Sequence, residues 1–199
     1  MKKFDRLPAA QRKEEIQQAA LQLFIQKGFA ATTMENIVAQ VSLSKGGVYR
    51  LYPSTTAILS DIMLQGMQLR NAYYAQHVQA LLAEGHSLDA PALVDMIIDS
   101  LLLYPDISAV YVEFLWEKQR HPELETLYQA LCTTTIEATT TLIHQYGADA
   151  LLLADAHTLQ RLTDIMNAAI LSLHVLHLED AFEQSRASIR EAMLRALHL

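Results

Sequence analysis

The chain has 199 residues, 51% of them hydrophobic, and carries 15 basic against 22 acidic residues for a net charge of −7. That length and apolar content suit a small head plus one larger domain with its own core, and no internal repeat or low-complexity segment interrupts them. No apolar run approaches the roughly 18 residues that span a bilayer; the basic start MKKFDRLPAAQRKEE lacks the apolar stretch of a secretory signal; and the single cysteine, Cys132, leaves no internal disulfide, so a cytoplasmic protein without membrane contact is expected.

The first predicted element is RKEEIQQAALQLFIQKGF. Ile16, Ala19, Ala20, Leu23 and Phe24 recur at helical spacing, and Gly28 is placed as a left-handed residue just past the end. Thr32 with Glu35 three residues on predicts a capping box for a second, short helix whose apolar face is Ile37, Val38 and Val41. After the turn Val41-Ser42-Leu43, Ser44 is a good N-cap for a third helix reaching Tyr52. Gly46 and Gly47 in its first turn cost about 1 kcal/mol each against alanine in a helix interior, which close approach of the backbone to a phosphate would explain. The three helices share a core from Ile16, Leu23, Phe24, Ile37, Val41, Val48 and Tyr52, and Pro53-Ser54 then starts a new helix. Two short helices joined by a tight turn form the layout of a helix-turn-helix, whose second helix enters the DNA major groove.

Downstream the pattern stays helical. Residues 54–84 read as one long helix ended by Gly85, with Ile58, Ile62, Leu64, Met67 and Leu69 among its apolar positions. Further helices are predicted over 90–104 (Pro91 at its start, Pro105 after its end), 107–120, 122–146 closed by Gly147, 155–178 and 179–198. The Thr133–Thr135 and Thr139–Thr141 runs favour strand by propensity, but their Glu, Ala and Leu context favours helix. The expectation is an all-α chain of about nine helices, with a three-helix head over 1–53 and a larger helical domain over 54–199.

Charge divides the same way. Residues 1–53 hold eight basic and four acidic side chains, a net of +4, leaving seven against 18, or −11, for residues 54–199. An acidic chain would ordinarily argue against nucleic acid, but here the acidity lies outside the locally basic head.

The segment GFAATTMENIVAQVSLSKGGVYRLYPSTTAIL resembles the DNA-binding domain of TetR-type transcriptional regulators, with Gly-Phe, Thr-Thr, Ser-Lys-Gly, Tyr and Pro-Ser landmarks in order. The resemblance covers roughly residues 10 to 60. It implies a homodimeric regulator, most often a repressor, binding a palindromic double-stranded DNA operator and released by a small apolar or amphipathic molecule, with no cofactor. Together with helix geometry it implies that Thr33, Lys45 and the backbone of Gly46 and Gly47 hold phosphates. Ser44, Gly47, Val48 and Arg50 would face base edges, Arg50 being the best candidate for a bidentate contact to guanine, and Tyr49 would meet a phosphate or a thymine methyl. Thr32, Ser42, Tyr52 and Thr55 complete the expected DNA-binding set. The chain departs from the family pattern where Leu51 replaces a common His and Thr55 a common Lys, so fewer phosphates would be neutralised per head.

The larger domain is then expected to sense the ligand and to dimerise. Met63, Met67, Tyr74, Leu101 and Tyr104 are candidate ligand contacts, as are Tyr111, Phe114, Trp116, Tyr128 and His144. Methionines and aromatics adapt to irregular apolar ligands, while Tyr and His add oriented polar contacts. The last two helices carry stripes suited to a dimer interface: Leu162, Ile165, Ala169, Ser172 and Leu176 on one, and Phe182, Ser185, Ile189 and Met193 on the other. Both stripes are equally compatible with an ordinary core. His174 and His177, three apart near Glu179 and Asp180, suggest metal sensing as an alternative, although no second Cys or clearly placed third His accompanies them and no metal site is expected. A non-sensing architectural DNA binder is a further alternative. An all-helical enzyme is the other class, but Gly-x-Ser-x-Gly, His-Glu-x-x-His and a phosphate-cradling Gly-rich loop are all missing.

Overall fold

The computed structural model describes residues 8–148, 154–175 and 179–197, and all their side chains except those of 175 and 179–184. Among the described residues the fold is all-α, with nine helices: α1 (Ala9–Lys27), α2 (Met34–Val38), α3 (Lys45–Leu51), α4 (Thr55–Ala83), α5 (Ala90–Ser100), α6 (Pro105–Glu117), α7 (Pro122–Tyr146), α8 (Ala156–Val175) and α9 (Glu179–Ala196). Their order and number are those expected. Among the described residues only an isolated bridge, Leu88 to Gly147, adds sheet-like pairing.

Two boundaries moved for identifiable reasons. The α2 capping box is one residue later than predicted: Thr33 accepts from the Asn36 N–H and Asn36 Oδ1 accepts from the Thr33 N–H. Thr32 is buried instead, its hydroxyl donating to the Gly28 carbonyl at 2.8 Å. The helix predicted over 90–104 stops at Ser100, and Pro105 opens α6 rather than following α5. A residue before proline is pushed away from helical geometry, and Tyr104 accordingly sits at φ −134°, ψ 71°.

Gly28 ends α1 at φ +82°, ψ 160°, so it has the expected positive φ but an extended ψ rather than a left-handed helical one. Its N–H donates back to the Phe24 carbonyl, and the chain then places the Phe29 N–H against Glu113 Oε2 of α6 at 3.1 Å. A side chain at this φ is strained.

The described residues form two hydrophobic cores. The first gathers Ile16, Phe24, Ile37 and Val48 from α1–α3 with Ile58, Leu59 and Ile62 from the start of α4, and continues into Val110 and Phe114 of α6 and Leu124 of α7. The second joins the far half of α4 (Tyr74, Val78) to α5, α7, α8 and α9. Helix α4 therefore belongs to both. Lys13 and Tyr52 converge on Asp61 at 2.9 and 2.8 Å, tying α1 and the end of α3 to α4. At the far end, Arg190 of α9 grips Asp95 of α5 through Nε at 2.7 Å and Nη2 at 3.1 Å.

Candidate nucleic-acid interface and ligand cavity

Helix α3 begins with Ser44, whose hydroxyl accepts from the Gly47 N–H. This cap sets the helix phase. Val48 (0% exposed) and Tyr52 (2%) point inward, while Ser44, Lys45, Gly46, Tyr49 and Arg50 remain exposed. The exposed set lies on the outer face of the head, as a helix that slots into a groove requires. Three expected DNA contacts are corrected. Val48 is core, Tyr52 is core with its hydroxyl donated to Asp61, and Thr32 is core with its hydroxyl spent on backbone. Ser42 is exposed, and its N–H and hydroxyl both donate to the Glu15 carboxylate, at 2.5 and 3.0 Å, which pins the turn to α1. Thr33 is exposed with its hydroxyl engaged in the cap, and Thr55 is half-buried.

Two features of this surface were missed from the sequence. Arg12 of α1 lines a groove with Ser44, Gly46, Gly47 and Arg50, and its Nε is buried with no hydrogen-bond partner. Among the described residues two cations and no carboxylate line that groove, an arrangement suited to an anion. The signal was present in the charge count, but only the packing of α1 beside α3 brings Arg12 to Arg50. The second feature is Glu35. Its Oε1 accepts from Lys45 Nζ at 3.1 Å and from the Tyr49 hydroxyl at 3.1 Å. The Lys45 hydrogen bond is the main cause holding this carboxyl below the usual carboxylate range. In the free head, Lys45 and Tyr49 are thus tethered to a carboxylate that would lie close to a bound phosphate. Glu35→Gln is expected to raise affinity for a random-sequence duplex and to steepen log affinity against log salt by about one ion; fluorescence anisotropy across a salt series checks this, and an unchanged slope would remove Glu35 from the interface.

A cavity of about 100 Å³ lies between α4, α5, α6, α7 and α8. Five of the ten residues expected at a ligand site line it: Met63, Met67, Leu101, Tyr104 and Tyr111. Tyr74 lines a smaller adjoining space of about 20 Å³, with its hydroxyl on Ser100. The other four lie elsewhere. Phe114 is buried in the head core, Trp116 is 54% exposed, and His144 is exposed on α7. Tyr128 packs on Phe114 and under the Lys118 ammonium, its phenol pushed up to about 12, mainly by burial. Sequence inspection did not single out Arg70, Thr135 or Cys132, which the packing of α4 against α7 brings to the cavity wall. Gly66 lies there too. A Cβ on it would come within 2.7 Å of Ile107 Cγ2, so its role is close approach of α4 to α6.

The stripes on the last two helices are corrected in part. Leu162, Ala169 and Met193 are buried within this chain's own core, and Ile165 and Ile189 are half-buried against it. Ser172 is exposed and Ser185 half-buried. Leu176 and the Phe182 side chain fall outside the described residues, as does His177. No group of three or more His, Cys, Asp or Glu is placed to hold a metal among the described residues. No helix among them is long and apolar enough to cross a membrane.

Residues 16–62 match the family described as bacterial regulatory proteins, tetR family. Over those residues the chain matches the TetR family. Over 56 residues it is 39% identical to the uncharacterised HTH-type transcriptional regulator YfiR of Bacillus subtilis strain 168, a match that covers 28% of this chain and 27% of that relative. The whole fold is similar to Salmonella enterica GusR, with a TM-score of 0.76, 20% identity and 97% and 98% of the two chains covered. It is likewise similar to the multidrug binding protein EbrR complexed with ethidium, with a TM-score of 0.70, 16% identity and 95% and 99% covered. Helices α2 and α3 lie within the residues that match the tetR family.

Proposed function

We propose that the chain is a ligand-responsive transcriptional repressor that binds a palindromic operator as a homodimer and is released by a small molecule held in the cavity beside α4. The observation that carries this reading is α3 itself: Lys45, Tyr49 and Arg50 stand exposed on one face, beside Arg12, while its opposite face is sealed into the core. One such helix reads few bases, and paired heads on half-sites about one turn, roughly 34 Å, or a multiple apart are the common solution. With the inner stripes of α8 and α9 used up internally, the dimer would form on their outer faces, where Ala168, Ser172, Ala187 and Ser188 are exposed. The link to the cavity is α4, which runs without interruption from the head core to the cavity wall. A ligand that favours one position of α4 would change the separation of the two heads. EbrR is described as a multidrug binding protein complexed with ethidium, which supports a small-molecule sensing role for this chain.

The test is selection of bound duplexes from a random pool, followed by screening small molecules for release of the selected site. Enrichment of a palindrome and its release by a compound are expected. Failure to enrich any sequence would overturn the reading, and enrichment of single half-sites by a monomer would overturn the dimer.

A further inference from the structure

Resting on that reading of the cavity, the structure points to its ligand class: we infer that the site takes an apolar molecule carrying one anionic group, a monocarboxylic acid, with the carboxylate on Arg70. The wall is mostly apolar, with Met63, Met67, Leu101, Ile107, Met166 and Ile170. Among the described residues Arg70 is the only charged one on the wall, and no Asp or Glu lines the cavity.

The polar groups of the wall decide where an anion would go. Ser100 donates to the Ile97 carbonyl, Ser108 to the Leu101 carbonyl and Thr163 to the Leu159 carbonyl. Tyr111 donates to Asn167 Oδ1 at 3.0 Å. These hydroxyls have spent their protons on the protein. Arg70 has not: Nη2 donates to Thr135 Oγ1 at 2.7 Å, but Nε is buried with no hydrogen-bond partner, and no carboxylate pairs with this guanidinium among the described residues. A buried donor left unpaired costs about 1–3 kcal/mol, a penalty that a bound acceptor removes. Nε and an Nη form the edge that a carboxylate meets bidentately. Asp164 is the acidic group whose charge is felt at the wall, at Cys132, and its Oδ1 accepts from Gln160 outside the cavity. A cationic ligand would therefore meet a guanidinium and no counter-charge. That separates this cavity from one suited to a cationic dye such as ethidium.

Octanoate, octanol and octylamine share one apolar body and differ only in the head group. Calorimetric titration of the full chain, without DNA, is expected to rank octanoate above octanol and octanol above octylamine. Arg70→Gln is expected to weaken octanoate by roughly 10- to 100-fold, the range for a charged hydrogen bond, while leaving octanol within about twofold. Arg70→Lys, which keeps the charge without the fork, is expected to retain the preference for octanoate at reduced affinity. Octylamine binding as tightly as octanoate overturns the inference without recourse to any variant, as does an Arg70→Gln loss shared equally by octanoate and octanol. Because these titrations contain no DNA, their failure is separate from failure of the repressor reading, which is scored by operator selection alone.

Discussion

Phe114→Ala is expected to lower the stability of the DNA-reading head, although Phe114 lies some sixty residues beyond the helix-turn-helix on α6. Its ring is fully buried in the same core as Ile16, Phe24 and Val48. It stacks obliquely on Tyr111 and Tyr128 at centroid distances of 5.8 and 6.3 Å. Truncating a fully buried phenylalanine costs about 3–5 kcal/mol, a large share of the roughly 5–15 kcal/mol that holds a domain together. Urea unfolding followed by far-UV circular dichroism should show a loss of that size. The single tryptophan is a poor probe, because Trp116 is already 54% exposed in the folded chain. A loss below about 1 kcal/mol would mean that the head closes its core without α6. The same burial offers a route by which events in the larger domain reach α1: Phe29 N–H to Glu113 and Gln22 to Asp106 bind the head to the helix that also lines the cavity.

The second large effect belongs to Arg50. It is exposed on α3, one turn beyond Gly46 and Gly47, and shares its groove with Arg12. If it makes a bidentate contact to guanine, Arg50→Ala should cost about 1–3 kcal/mol per half-site and relax one base position in the selected operator. Lys45→Ala should instead weaken all duplexes alike and lower the salt slope by about one. Sequencing the pools selected by the two variants distinguishes base reading from phosphate contact. An Arg50→Ala protein that loses selected and random duplexes equally would place Arg50 on the backbone. Neither change touches the core, since the buried side of α3 is Val48.

Much of the head was legible because its signals are local. Ser44 as N-cap, Gly28 at positive φ, Pro53-Ser54 before α4 and the apolar spacing of Ile16, Ala20 and Phe24 all act within a few residues. The phase of a short helix was harder to read. Val48 and Tyr52 sit on the same face of α3, four residues apart, and both belong to the core, yet the family resemblance had also placed them on DNA. One residue's shift in the α2 cap likewise turned Thr32 from a surface hydroxyl into a buried one. The cavity was half legible. Apolar and aromatic residues recur on every helix of this chain, so residue type alone could not separate Tyr111 in the wall from Tyr128 beside it.

The chain's own residues determined an all-helical protein with a basic head and an acidic body, because helix periodicity, caps and charge are properties of short segments. Tertiary packing alone decided what each face meets. Phe114 and Trp116 are two positions apart on α6, about 200° around a helix, so one is sealed in the core and the other faces solvent. The stripes through Leu162 and Ala169 on α8 and Met193 on α9 could have met a second chain, but they are buried in the core that α4, α5, α7, α8 and α9 share. Arg70 and Thr135, 65 residues apart, became partners only because α4 and α7 pack side by side, a pairing that no local pattern encodes.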